Sequence, residues 1–193
     1  FLIGDVSGKG VPASLFMAIT RSLFRTLSQQ VLSPAKIVTD MNNSISDNND
    51  TNMFVTLIVG ILDLKTGKLK LCNAGHNPPI LIRPDGQVSF LEFKTQIFVG
   101  VIEEYAYTED ETTLDKGSKL FLYTDGVTEA ENTDKELYGD EKLLETLSDY
   151  ATSDVRTTVN AIVKSIATHV EEAEASDDLT ILLIQYEPGT TNN

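Results

Sequence analysis

Tryptophan is absent from these 193 residues, cysteine occurs once and histidine twice, and each scarcity closes a class of chemistry. The lone Cys72 excludes an intrachain disulfide and fits a reducing compartment. No Cys/His cluster stands at zinc-ligand spacing, and no convincing Ser-His or Cys-His pair offers a protein nucleophile. No apolar run is long enough to span a bilayer and no signal-peptide pattern is present, so this segment is not expected to insert in a membrane, and the expected location is cytoplasmic. Positive charge is scarce as well. Fifteen Lys and Arg face 29 Asp and Glu, and the net charge of -14 would repel nucleic acid and anionic lipid while permitting metal cations.

What remains is an ordinary globular composition, 41% hydrophobic and 23% charged, of a length that suits one domain with its own core. The stretch GDVSGKG near the start looks like a phosphate-cradling loop, but only three residues separate Gly4 from Gly8, and Gly10, not Ser or Thr, follows Lys9. Asp5 would also turn a carboxylate toward the anionic oxygens. It makes better sense as a cation ligand.

Helical spacing of Leu15, Phe16, Ile19, Leu23, Phe24 and Leu27 predicts a helix from Pro12 to about Gln30. A second helix follows, with Ser33 as N-cap, Pro34 in its first turn, and Ile37, Val38, Met41 and Ile45 as its apolar stripe. SDNNDTN reads as a connecting loop. From Met53 the chain turns β-rich, with a strand apolar on both faces, a turn at DLKTGK and a partner strand from about Leu69. A hairpin turning at PDG is expected in ILIRPDGQVSFLE, and a loop or edge strand between about Glu103 and Asp115. KLFLYTDG is a strand entering a turn; YGDEKLLETLSDY and DVRTTVNAIVKSIATHVEEAEA are two helices; LTILLIQY is the last strand. Paired helices and hairpins together argue for an α+β fold with helices on an antiparallel sheet core.

Three aspartates stand where buried strands meet loops: Asp5 after FLIG, Asp125 after KLFLYT, and Asp177 before LTILLIQY. Singly, each reads as a turn or cap residue. As a cluster they would need metal or protons, because two carboxylates ~4 Å apart repel by about 4 kcal/mol at an effective dielectric of 20. All-oxygen ligands favour Mg²⁺ or Mn²⁺, and a pair of such ions can clamp a phosphate and acidify a water.

GDVSGKGVPASLFMA, MFVTLIVGILDLKTGKL, NAGHNPP, FLYTDGVTEA and SDDLTILLI, in this order, resemble the metal-dependent protein phosphatases (type 2C), in particular the bacterial sporulation-protein-E-like branch that regulates sigma factors. The resemblance implies a four-layer αββα sandwich of two antiparallel sheets flanked by helix pairs. It implies a phosphatase domain over residues 1–187, lacking its usual N-terminal strand or strands and the acidic residue they carry, with 188–193 as a disordered tail. It implies two Mg²⁺ or Mn²⁺ ions, with Asp5 bridging them, the carbonyl of Val6 binding one, and Asp125 and Asp177 binding the other. Asp178 is a candidate outside the ligand set, and Gly126 would let the backbone turn tightly beside the site. Gly8 and Gly10 would allow the loop to pack closely on the first helix. Lys9 would either meet substrate phosphate or be solvated. His76 would be a general acid or a brace for its loop. Thr128 and Glu129 would shape the turn, and His169 would be a surface residue. The implied activity is removal of phosphate from serine or threonine of a partner protein, an anti-sigma-factor antagonist, under an upstream sensor domain. The alternative is a catalytically silent binding module of the same fold.

Overall fold

The computed structural model describes residues 1–47, 49, 52–173 and 177–188. The middle of the SDNNDTN loop and most of the C-terminal tail lie outside the described residues. The chain forms an α+β fold of two sheets and four helices, divided into two compact units. The first comprises Phe1–His76 and Glu92–Thr113, and the second Asn77–Leu91 with the described residues from Leu114 onward.

In the first unit, strands β1 (Leu2–Val6), β2 (Val55–Leu62) and β3 (Lys68–Ala74) pair antiparallel in sequence order. Asp63 builds the turn between β2 and β3: its Oδ1 accepts the N–H groups of Lys65 and Thr66 at 2.8 and 3.2 Å. The far edge of β3 is shared. The two-residue β6 (Thr95–Gln96) runs parallel to its end, and β7 (Asp110–Thr113), the expected edge strand, runs antiparallel to its start. Alternation along β2 and β3 places Leu57, Val59, Cys72 and Ala74 in the core beneath the helices.

Helix α2 (Pro34–Ser46) forms as its sequence predicts: the Ser33 side chain accepts the Lys36 N–H, and Ile37, Val38, Met41 and Ile45 are all buried. Its N-terminus is further held by Glu109, whose carboxylate accepts from Ser33 Oγ (2.6 Å), Ala35 N (3.2 Å) and Lys70 Nζ (2.9 Å). Helix α1 (Val11–Leu27) turns differently from expectation. Phe16, Leu23, Phe24 and Leu27 pack on the core, but Leu15 and Ile19 are 62% and 53% exposed. The line through Phe16, Thr20, Leu23 and Leu27 faces inward, and Thr20, buried, satisfies its hydroxyl on the Phe16 carbonyl at 2.9 Å. Periodicity alone left the rotation of this helix undecided by one residue, about 100°.

The second unit is a four-stranded antiparallel sheet in the order β5 (Val88–Phe90), β4 (Ile80–Ile82), β8 (Lys119–Tyr123) and β9 (Ile181–Gln185). The β4–β5 turn falls at Pro84–Gly86 as read, with Gly86 N donating to Arg83 O. Helices α3 (Gly139–Asp149) and α4 (Val155–Val170) supply Leu143, Leu147, Ile162 and Ile166 to a core with Ile80, Ile82, Phe121 and Tyr123. Helix α4 ends at Val170, short of the predicted end, because Glu171 takes a positive φ of 54° and leaves the helical path. The buried Lys119 on β8 ties the α3–α4 connection to the sheet, its ammonium donating to the carbonyls of Ala151 and Ser153.

Candidate active site

In the first unit, β1 carries Asp5 and Val6 to its C-terminal end, two residues further than the FLIG strand of the sequence reading. Asp5 stands directly opposite Thr56 on β2, and Val6 opposite Val55. Val6 buries its side chain in the core, so its main-chain carbonyl is the group it could lend to a cation. Ser7 closes the ladder in both senses: its N–H donates to Phe54 O and its hydroxyl accepts from Phe54 N, each at 2.9 Å.

Gly8 and Gly10 then take positive φ values of 84° and 80°, and a Cβ at either would meet nothing within 4 Å. The expected close packing on the first helix is therefore not the reason for these glycines. Backbone conformation is the reason: Gly10, with φ 80° and ψ −156°, caps α1 in a region essentially closed to other residues. Lys9 between them is exposed.

His76 is held as a bracing residue would be. It is 3% exposed, its main chain is clamped by the Asn73 side chain (Asn73 Oδ1 accepting from His76 N at 2.8 Å, Nδ2 donating to His76 O at 3.0 Å), and its Nδ1 lies 2.9 Å from Thr56 Oγ1. Cys72 is excluded as a nucleophile: it is fully buried, and burial pushes its thiol up to about 12 despite the Gln96 amide beside it.

In the second unit, β8 runs into the turn Thr124–Asp125–Gly126. The Asp125 carboxylate is half-buried and accepts the Gly126 N–H at 3.0 Å, while its carbonyl accepts from Glu129 N at 2.8 Å and Thr128 Oγ1 at 3.4 Å, so Thr128 and Glu129 shape the turn as expected. The start of β9 packs against this turn. Thr124 N donates to Thr180 O, Thr180 N to Thr124 Oγ1, and Thr124 Oγ1 to Asp178 O, at 3.1, 3.2 and 3.3 Å. Contact is closest at Gly126, where a Cβ would lie 2.3 Å from the Asp178 carbonyl oxygen. Gly126 thus serves close approach of two backbones. Asp177 is exposed and its Oδ1 accepts the Asp178 N–H at 2.8 Å.

The fold therefore joins Asp125 to the Asp177–Asp178 segment in one unit, and Asp5 and Val6 to Thr56 and His76 in the other. Among the described residues, no group of three or more His, Cys, Asp or Glu side chains forms a metal-holding cluster. The donors on offer are carboxylate and carbonyl oxygens, the chemistry of Mg²⁺ and Mn²⁺ and not of zinc. The Gly126 cradle, which a side chain would fill, keeps the Asp125 turn seated against the Asp177 segment.

Thr56 and Asn73 were missed by sequence reading, although both lie in the stretches that carry the resemblance. His169 is more than a surface residue. Its Nδ1 meets Lys142 Nζ at 3.1 Å, its Nε2 meets the Glu136 carbonyl at 3.0 Å, and its ring lies edge-on to Tyr138.

Two antiparallel sheets with this helix pairing are the fold of the type 2C phosphatase domains. The SiaA-PP2C domain of Pseudomonas aeruginosa superposes with a TM-score of 0.81 at 23% identity, over 96% of this chain and 76% of that one. The catalytic domain of the serine threonine protein phosphatase PstP, solved in complex with 2 manganese ions, superposes at 0.68 and 14% identity, over 94% and 85%. The family described as Stage II sporulation protein E (SpoIIE) matches residues 1–187, and the chain belongs to that family. Protein IcfG of Synechocystis sp. is 31% identical over 95% of this chain and 33% of its own length. The phosphoserine phosphatase RsbU of Bacillus subtilis is 27% identical over 95% of this chain and 54% of its own. The chain spans between a third and about half of these curated relatives.

Proposed function

We propose that this chain is a Mg²⁺- or Mn²⁺-dependent phosphatase that hydrolyses phosphoserine or phosphothreonine in a partner protein. The observation that carries the reading is the seating of the Asp125 turn on the Asp177–Asp178 backbone, which joins two strand-end aspartates at one end of the second unit. Family membership and the phosphoserine phosphatase RsbU among its relatives support the same reaction. Asp5, the Val6 carbonyl, Asp125 and Asp177 would hold two metal ions, which when bound supply polarisation of the phosphoryl oxygens and a water of lowered pKa. The chain's own part is to hold these oxygens ready. The Gly126 N–H fixes one Asp125 oxygen, the Asp178 N–H fixes one Asp177 oxygen, and the β1–β2 ladder fixes Asp5. No protein nucleophile is required, which agrees with the burial of Cys72.

The residues 1–187 would act as the phosphatase domain, with 188–193 as a tail. The substrate would be a phosphorylated anti-sigma-factor antagonist in the cytoplasm, and an upstream sensor domain would set the activity. No helix among the described residues is long and apolar enough to cross a membrane.

Asp125→Asn tests the reading. It should abolish Mn²⁺-dependent release of phosphate from a phosphoserine protein while leaving the far-UV circular dichroism unchanged, and millimolar Mn²⁺ should raise the melting temperature of the wild type more than that of the variant. Full turnover in the variant would overturn the site. A wild type that binds a phosphoprotein but releases no phosphate at any metal concentration would favour the silent module.

A further inference from the structure

We propose that Thr56 and His76 are positioning residues for the metal-holding end of β1, acting through the peptide that joins Asp5 to Val6. This rests on the reading of Asp5 and Val6 as metal-holding residues. Asp5 and Thr56 are directly paired across β1 and β2, so their side chains share one face of the sheet. The Thr56 hydroxyl lies 3.5 Å from the Asp5 carbonyl oxygen and 2.9 Å from His76 Nδ1. A hydroxyl has one proton to give. A single arrangement serves both contacts: Nδ1–H of the imidazole donates to Oγ1, and the hydroxyl donates onward to Asp5 O. That oxygen belongs to the rigid peptide plane between Asp5 and Val6, so holding it anchors the two Cα atoms from which the Asp5 side chain and the Val6 carbonyl extend.

The far end of the relay is fixed. His76 and Asn73 are each 3% exposed, and the two hydrogen bonds from the Asn73 side chain hold the His76 main chain on both its N–H and its C=O. Gly75, at φ 76°, makes the turn between them, with the Phe98 ring lying where its side chain would be. The imidazole is thus aimed by a rigid turn at the end of β3, and it holds the Thr56 rotamer on β2, which holds β1. Buried polar side chains in such a chain rigidify what they touch.

The test measures Mn²⁺ binding directly, from the electron paramagnetic resonance signal of free Mn²⁺, alongside phosphate release and thermal melting of the full chain. Thr56→Val keeps the β-branched shape and removes the hydroxyl, and Thr56→Ser keeps the hydroxyl. Val should weaken Mn²⁺ binding about 10- to 100-fold, the usual effect of losing an outer-shell partner, with turnover largely recovered at saturating Mn²⁺. Ser should bind Mn²⁺ as the wild type does. His76→Asn, whose amide reaches the Nδ1 position, should retain more binding than His76→Gln, whose amide reaches toward Nε2. Unchanged Mn²⁺ binding in Thr56→Val, or equal loss in Val and Ser, would overturn the inference and leave the proposed function standing. A wild type that binds no Mn²⁺ would overturn both, and it would be seen before any variant is made.

Discussion

The two units hold their aspartates by different means. Asp5 is backed by side chains: a threonine, an imidazole and an asparagine, the last two buried. Asp125 and Asp177 are backed by main chain, with two strand ends pressed together at a glycine and laced through Thr124 and Thr180. A side-chain relay keeps its packing under isosteric replacement and fails one hydrogen bond at a time. Two backbones in contact have no such latitude, because neither can shift without moving the strand behind it.

The largest effect should therefore come from Gly126→Ala. Its Cβ would need to displace the Asp178 carbonyl, and we expect a loss of about 1–3 kcal/mol in urea unfolding, typical of overpacking. Turnover should fall about a hundredfold, as when a reacting group is misplaced by an ångström. Activity equal to wild type would mean that the seating of this turn is irrelevant to catalysis.

Gly10→Ala should be milder in turnover. Nothing stands where its Cβ would go, so the cost is conformational alone, about 1–3 kcal/mol for a non-glycine residue at this φ and ψ. The contrast between the two glycines is the sharpest check on the comparison. If Gly10→Ala lost more turnover than Gly126→Ala, crowding would not be the rule that separates them.

The smallest effect concerns pH. Burial pushes the Glu109 carboxyl up, but hydrogen bonds from Ser33, Lys70 and the Ala35 N–H together outweigh it and hold the group below its ordinary value. A carboxyl held low in the folded state adds stability above its unfolded pKa of about 4.3, and that stability is lost as pH falls through the folded value. Glu109→Gln should thus cost about 1 kcal/mol at pH 7. The gap from wild type should close as the pH falls below about 4.3. Hydrogen exchange should show the loss in α2 and leave α4 unchanged, since the contacts of Glu109 lie within the first unit. A gap that stayed constant down to acid pH would remove the carboxylate from the account.

Much of this was open to reading along the chain. The α2 stripe and its Ser33 cap, the hairpin turning at Asp63–Gly67, and the strands that run into the Asp125 turn and follow Asp177 all follow from short-range rules. Each depends only on the period of apolar residues and on turn chemistry within a few positions. The family motifs were legible for the same reason, being short contiguous strings. The rotation of α1 was not, since Leu15 and Ile19 match helical spacing as well as Phe16 and Thr20 do, and only the sheet beneath selects the face.

By itself, then, the sequence determined most of the helices and strands, the family they compose, and Asp5, Asp125 and Asp177 as the candidate ligands of a cation. The reason for Gly126 and the Thr56–His76 relay were settled by tertiary structure alone. Those contacts join residues about fifty positions apart along the chain, Thr56 to Asp5 and Thr124 to Asp178. They exist only because strand pairing sets the register, Asp5 against Thr56 and Tyr123 against Ile181. In a sheet a shift of one residue would turn every one of these side chains to the opposite face.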